Sequence, residues 1–454
     1  MRTRGGVVAA LVIAALAVSA LPTAATPRAT GQRGRAAYER TIDGAVAAIE
    51  AFWRSEYPEL YDTRYVRVPA NRVIAAQPGV RIPRCQGAKL SYRHAQGNAF
   101  YCYEGNFVVY DDVGLFPDLY ETFGPFSVAL VLAHEWGHAV QDRAENDGQP
   151  TIYKELQADC FAGAWAREQA EGARGPELGP GDLESSLAAL LEFRDVPGTS
   201  PDDPTAHGSA FDRVSAFQEG FELGTERCAA YFGEPPVVVE LPFGTLEEET
   251  SGGEVPAEEV IPLTVDLLND FYSQVEPGYQ PLTVDDIGSF DSSDRSTIPA
   301  CGGTDLTVKQ VENRVFYCID DGYIAFDEPF LQQIYDEIGD FGVASLIANP
   351  WATHVQVIQG QEGVAENELG TVLQADCYSG GWAAAFFNGL LAGGSLSPGD
   401  LDEFIEAFLV YSRARGVAAD VPITFLRVGY FRRGFFAGYE SCDLATIQGE
   451  VAGL

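Results

Sequence analysis

His134-Glu135-Trp136-Gly137-His138 is an H-E-x-x-H stretch. In a helix, side chains four residues apart share a face, so His134 and His138 can direct two imidazoles at one ion. Glu135, one step round, is placed to take a proton from water bound to that ion. Downstream, Glu155-Leu-Gln-Ala-Asp159 lies in a second helical run, Lys154 to Arg167. A Glu155 carboxylate there can return to the same ion, and Asp159 lies one turn further on the same face. Two His, one Glu and an open fourth position is the ligand set of a catalytic zinc. A closed structural site needs a fourth protein ligand, and none is evident. His94 lies in a polar loop and reads as solvated.

The elements that must position these residues occur twice. Cys85, Cys102, Cys160 and Cys228 in the first half correspond to Cys301, Cys318, Cys377 and Cys442 in the second. Ala99-Phe-Tyr-Cys102 matches Val315-Phe-Tyr-Cys318. Leu156-Gln-Ala-Asp-Cys-Phe-Ala-Gly163 matches Leu373-Gln-Ala-Asp-Cys-Tyr-Ser-Gly380, and Arg213 to Phe221 matches Arg427 to Phe435. The period is far longer than a solenoid unit, so the reading is a duplicated domain. In each copy we expect an amphipathic helix, a loop with two Cys, a short β-hairpin and then a series of helices. In the first copy the opening helix is Tyr38 to Ser55, with Ile42, Val46, Ile49 and Trp53 at helical spacing. The hairpin is Ala99 to Tyr103 and Phe107 to Tyr110, turning at Glu104-Gly-Asn106. The class is therefore α+β, mostly helical, with a small β-hairpin or sheet beside the H-E-x-x-H helix.

The second copy lacks the chemistry. Val128 to His138 aligns with Val343 to Thr353, so His134 becomes Asn349, Glu135 becomes Pro350 and His138 becomes Thr353. Glu155 becomes Val372, while Asp159 is kept as Asp376. His354 is one position late, and a helix turns about 100° per residue, so it points elsewhere. His207-Gly-Ser, ahead of Arg213, is replaced by Val421-Pro-Ile ahead of Arg427. Loss of His207 together with the ligands marks it as a candidate for stabilising the oxyanion of a transition state. The second half reads as a pseudo-enzyme domain.

The net charge is -37 over 454 residues, with Lys89, Lys154 and Lys309 the only lysines. That argues against a basic nucleic-acid-binding surface and against adsorption to anionic lipid. Residues 1–25 read as a signal peptide: Arg2 and Arg4, an apolar run from Val7 to Leu21, and Val18-Ser-Ala20 as a cleavage site. The protein is expected to be secreted or extracytoplasmic. The alternative is anchorage in the cytoplasmic membrane by an uncleaved N-terminal segment. Eight Cys in an exported chain point to disulfides. The repeat suggests Cys85 with Cys102, Cys160 with Cys228, Cys301 with Cys318 and Cys377 with Cys442. Residues 233–256, rich in Pro, Gly and Glu, read as a mobile linker, although Val237-Val-Val-Glu-Leu241 can pack on a domain.

Ala133 to Gln141, Glu155 to Trp165 and His207-Gly-Ser…Arg213 resemble the neutral zinc metallopeptidase family of bacteria, within the gluzincin class. The resemblance spans about residues 38–232. It implies zinc held by His134, His138 and Glu155, Glu135 as general base, and Asp159 orienting a zinc-bound His. Residues 257–454 resemble the same domain in degenerate form, so the whole reads as two tandem gluzincin-like domains. The expected function is an exported zinc endopeptidase acting on peptides or proteins, with one Zn2+ in the first domain and the second docking substrate or regulating access. The alternative is a cell-envelope scaffold with a vestigial metal site.

Overall fold

Phe107-Val-Val-Tyr-Asp111 forms the central strand β3, and all five residues are buried. In the computed structural model, which describes residues 32–144, 149–172, 178–365, 367–414 and 422–452, the fold is mostly helical with small mixed sheets. The expected signal peptide and Val421 lie outside the described residues. The chain divides into two units, Met1–Glu240 and Leu241–Leu454.

In the first unit, α1 (Gln32–Tyr61) leads to β1 (Val73–Ala76), a short α2 (Tyr92–Ala95), β2 (Ala99–Cys102) and β3. The sheet order is β1-β3-β2; β2 runs antiparallel to β3, and β1 runs parallel to it. The expected hairpin is therefore part of a three-stranded mixed sheet. Strand β1 was not anticipated, because Val73-Ile-Ala-Ala76 is short and has no alternating pattern. Its pairing is set by a partner distant in sequence. α1 is longer than its apolar stripe, which covers Ile42, Ile49 and Trp53 in the core.

Then come α3 (Leu115–Phe123), α4 (Pro125–Arg143), α5 (Thr151–Ala170), α6 (Pro180–Leu191), α7 (Ala210–Leu223) and α8 (Thr225–Ala230). Gly124, at φ +88°, turns the chain out of α3, and Pro125 supplies the first helical position of α4. α4 is buried on every face from Phe126 to Gly137. A helix apolar all round belongs at the centre of its domain.

Three glycines set how closely the helices approach. A Cβ on Gly137 would lie 2.7 Å from the Ala158 Cα, so α4 and α5 meet almost backbone to backbone between the two His and Glu155. A Cβ on Gly163 would lie 1.9 Å from the Phe217 carbonyl oxygen, and one on Gly220 would lie 1.8 Å from that of Cys160. α5 and α7 thus interlock through reciprocal glycines. The Cys160–Cys228 disulfide and a hydrogen bond from Gln157 Nε2 to the Cys228 carbonyl (2.9 Å) close the same corner.

The second unit contains α9 (Leu246–Ser251), α10 (Ala257–Val275), β4 (Ile287–Phe290), β5 (Ala300–Cys301), β6 (Thr304–Asp305), α11 (Val308–Val311), β7 (Val315–Cys318) and β8 (Tyr323–Asp327). It continues with α12 (Glu328–Glu337), α13 (Asp340–Ile358), α14 (Leu369–Phe387), α15 (Asp400–Ala414), α16 (Ile423–Ala437) and α17 (Leu444–Val451). Its main sheet has order β4-β8-β7, again with one parallel and one antiparallel pair. Gly380 and Gly434 make the reciprocal contacts of Gly163 and Gly220, at 1.9 and 1.8 Å.

The four disulfides join Cys85–Cys102, Cys160–Cys228, Cys301–Cys318 and Cys377–Cys442. Four disulfides point to an extracytoplasmic location. Among the described residues no helix is long and apolar enough to cross a membrane. Parts of 233–256 are held. Val239 and Glu240 are buried, and their amides donate to the Asp212 carboxylate at 2.8 and 3.1 Å. At the far end Glu254 Oε2 accepts from the Asp340 amide at 2.9 Å. Composition favours a mobile chain, but buried carboxylates and helix ends supply partners for the backbone.

Candidate metal centre

α4 carries His134, Glu135 and His138, and α5 carries Glu155 and Asp159. The close crossing at Gly137 and Ala158 brings the two helices together there. His134 Nε2 lies 3.1 Å from His138 Nε2 and 3.2 Å from Glu155 Oε2, and the third side, His138 Nε2 to Glu155 Oε2, is 3.4 Å. Tetrahedral ligands about 2.0–2.1 Å from zinc stand about 3.3 Å apart. The triangle has that size.

The hydrogen bonds behind the rings decide which atoms face the centre. His134 Nδ1 lies 2.7 Å from Asp159 Oδ1, an acceptor. His138 Nδ1 lies 3.0 Å from Gln141 Oε1. Gln141 donates its Nε2 to the Lys154 carbonyl at 2.6 Å, which orients its amide so that Oε1 faces the imidazole. Both Nδ1 atoms therefore carry the proton in the neutral rings, and both Nε2 lone pairs face Glu155 Oε2. Three electron-pair donors converge with no hydrogen-bond donor between them, which fits a cation at their centre. Burial opposes the charged imidazole, but the Asp159 and Glu155 carboxylates outweigh it and push His134 up to about 10. Glu155, against the same burial, is held well below its ordinary value by His138, His134 and His207.

Asp159 is itself clamped. Arg213 on α7 donates Nε to Asp159 Oδ2 at 2.8 Å and Nη2 to Oδ1 at 3.0 Å, and Nη1 to the Phe193 carbonyl at 2.6 Å. Both members of the pair are buried. Glu135 is 3% exposed; burial raises its pKa, the Tyr101 amide donates to it, and Oε2 has no hydrogen-bond partner. His207 lines the same cavity. Its loop is tied by Asp195, whose Oδ2 accepts from the His207 and Gly208 amides at 2.5 and 2.8 Å. Asp195 Oδ1 lies 3.3 Å from His207 Nδ1, leaving Nε2 as the outer nitrogen.

Sequence reasoning passed over Gln141, Asp195 and Asn98. The first two act through contacts that spacing does not reveal. Asn98 is 3% exposed, lines the cavity, and has no partner for its Oδ1. The Asn98 carbonyl accepts from the Asp111 amide, so the backbone groups of the next residue, Ala99, face away from β3. Tyr101, two further on, sends its amide to Glu135 in agreement with that alternation.

The second unit holds a buried Asp–Arg pair of the same kind without the His–Glu donors. Asn349 Nδ2 donates to Asp376 Oδ1 at 2.7 Å, where His134 meets Asp159. Arg427 holds Asp376 with two bonds of 2.8 Å. His354 is engaged elsewhere, between the Tyr317 hydroxyl at 2.9 Å and the Gln280 carbonyl at 2.8 Å. Among the described residues, no His–Glu ligand group assembles in this unit. The exposed His94 packs on Ser91 and joins no such group either.

Residues 86–231 match the family described as "Putative neutral zinc metallopeptidase". The matched span contains the whole donor set. Two relatives are the uncharacterized protein YpfJ of Escherichia coli K12 and the uncharacterized protein Rv2575 of Mycobacterium tuberculosis H37Rv. The first is 32% identical over 160 residues, covering 30% of this chain and 54% of the relative. The second is 30% identical over 206 residues, covering 39% of this chain and 64% of the relative. The chain thus spans less than two thirds of either relative's length. No solved structure matches.

Proposed function

We propose that the first unit is a zinc-dependent endopeptidase working outside the cytoplasm. The observation that carries this reading is the triangle of two Nε2 lone pairs and one carboxylate oxygen, each held from behind, with the unpartnered Glu135 oxygen beside it. A zinc ion held by His134, His138 and Glu155 would polarise the scissile carbonyl and acidify a water. Glu135 accepts the proton of the attacking water and passes it to the leaving amine. His207, with Nδ1 turned to Asp195, presents Nε2 to the developing oxyanion and donates to it as the imidazolium. Asn98 Oδ1 and the outward backbone of Ala99 receive the substrate main chain, which favours a peptide over a non-peptide substrate.

We further infer that the second unit is a non-catalytic copy of the first, made by tandem duplication and serving to dock substrate or govern access. The shared sheet order, the matching disulfides, the Asp–Arg pair and the reciprocal glycines support this. Zinc per chain tests both statements. One zinc in the parent and none in His134→Ala is expected. Zinc absent from the parent would remove the peptidase and leave a scaffold; two would mean that the second unit binds metal.

A further inference from the structure

Trp136 lies between the two proposed His ligands on α4 and is wholly buried. It follows His134 by two residues, so it leaves the helix about 200° round the axis, on the side away from the donor triangle. Its Nε1–H donates to Glu50 Oε1 on α1 at 2.8 Å. The same oxygen accepts from the Val68 amide at 2.8 Å and from the Tyr65 hydroxyl at 3.1 Å. Glu50 Oε2 is buried and has no hydrogen-bond partner, and Glu50 makes no ion pair with a described residue. Three donors on one oxygen, with no acceptor beside the other, suit a carboxylate. A carboxylic acid would leave its hydroxyl without an acceptor. The first unit thus buries a negative charge with no cation beside it, an arrangement that ordinarily costs stability. Nothing in the proposed reaction uses it.

Holding the indole does not require that charge. In the second unit Trp351 is equally buried, and its Nε1–H donates to the Tyr279 hydroxyl at 2.8 Å. Tyr279 donates to Asn269 Oδ1 at 2.8 Å, and Asn269 Nδ2 donates to the Leu282 carbonyl at 2.7 Å. An indole, a tyrosine and a residue of α10 meet here, and the helix residue is a neutral amide. The carboxylate stands in the unit that gathers the His–Glu donors. The amide stands in the unit where, among the described residues, no such group assembles. Resting on the zinc site of the reading above, we propose that Glu50 is a buried counter-charge to the metal centre. A helix with its side chains is about 10 Å across, so the carboxylate acts through α4 and not by touching a ligand. The path between them is packed protein, where a charge is screened far less than in water. The divalent ion offsets the cost of burying Glu50, and Glu50 in turn tightens the hold on the ion. Its hydrogen bond to Trp136 also fixes the rotation of α4.

The test measures zinc affinity and stability together on the full chain. Affinity comes from competition with a coloured chelator, and denaturant unfolding is followed with zinc and after its removal. Glu50→Gln keeps an oxygen for the three donors and removes the charge. It should weaken zinc binding at least about tenfold, the scale expected for a charge near a divalent ion inside protein. Without zinc it should be no less stable than the parent, since an unpaired buried charge is gone. With zinc the parent should be the more stable. Glu50→Asp moves the oxygen but keeps the charge. It should hold zinc within about threefold of the parent, while losing stability equally with and without zinc. Glu59→Gln removes an exposed carboxylate of the same helix and should leave zinc binding unchanged, because water and salt screen that charge. Parent-like zinc affinity in Glu50→Gln, or a loss of stability that is the same with and without zinc, would make Glu50 a packing residue and overturn the proposal. A loss in Glu59→Gln as large as that in Glu50→Gln would assign the effect to net charge and overturn it too. If Glu50→Gln does not fold, Glu50→Asp decides. Weakening there by about tenfold, with the charge kept, overturns the proposal, and affinity near that of the parent supports it. A parent that binds zinc but cleaves no peptide removes the peptidase and leaves this proposal standing. A parent that binds no zinc removes both.

Discussion

At the scale of single residues, the centre depends on what lies behind the ligands. His134 and His138 present the same nitrogen because Asp159 and Gln141 each accept a hydrogen bond from the other one. Asp159→Asn keeps the shape but removes the charge that supports His134 and pairs with Arg213. Zinc affinity should fall about 10–100-fold, and a competition titration with a coloured chelator would measure it; unchanged affinity would mean that Asp159 serves packing alone. The second unit makes that rival concrete, since Asp376 and Arg427 are paired there beside Asn349. Glu135→Gln makes the opposite pattern. It should bind zinc as the parent does and lose about 10²–10⁴-fold in turnover. Full activity in this variant would assign the proton transfer to another group.

At the scale of elements, helices α4, α5 and α7 form the support, and glycine governs their spacing. Gly163→Ala would drive a methyl into the Phe217 carbonyl on α7. Overpacking of that kind costs about 1–3 kcal/mol, and more where backbone must move. Gly44 in α1 meets nothing within 4 Å of its ideal Cβ. Gly44→Ala should therefore stabilise by about 0.4–1 kcal/mol, through the lost freedom of the unfolded chain. Denaturant unfolding of the two variants should move the midpoint in opposite directions. Equal shifts would refute the reciprocal-glycine account. Gly137 bears most directly on the candidate metal centre, because α4 and α5 approach each other at Gly137 and Ala158, between the two imidazoles and Glu155.

At the scale of the whole molecule, the charge of -37 is not spread as a uniform solvated surface. In the second unit Glu254, Asp340 and Glu403 bring carboxylate oxygens within 4.8 Å of one another. Glu403 Oε2 accepts from the Phe341 amide at the start of α13, and Asp340 Oδ2 accepts from the Val255 amide. Burial and the neighbouring Glu254 push Asp340 up to about 6; burial and Asp400 push Glu403 well above its ordinary value, and burial and Asp340 do the same to Asp400. A carboxyl raised on folding binds more protons folded than unfolded, so its contribution is complete at low pH and is lost as pH rises through the folded value. For Asp340 that window runs from 3.8 to about 6. Glu403→Gln, which removes one charge from the group, should raise the melting temperature relative to the parent at pH 8 and leave it nearly unchanged at pH 4. A variant that is less stable at pH 8 would show that the charged form is the one the fold favours.

Much of the site was legible because its signal is local. His134, His138 and Glu135 follow from helical spacing, and Glu155 and Asp159 from a second helix with the same phase. The absence of such donors from the second half was readable because the cysteines and apolar residues of the two halves can be aligned. The cysteine order suggested the pairing for the same reason. Tertiary structure alone decided the rest, since it depends on contacts between segments that carry no common pattern. Strand β1 exists because β3 offers it an edge, and parts of 233–256 are held because Asp212 and Asp340 accept from their backbone amides and the Asp340 amide donates to the Glu254 carboxylate. Gln141 and Asp195 matter only once folding brings an acceptor behind a ring. Spacing along one helix is fixed by its geometry; the distance between helices is fixed by which side chains, or which glycines, meet between them.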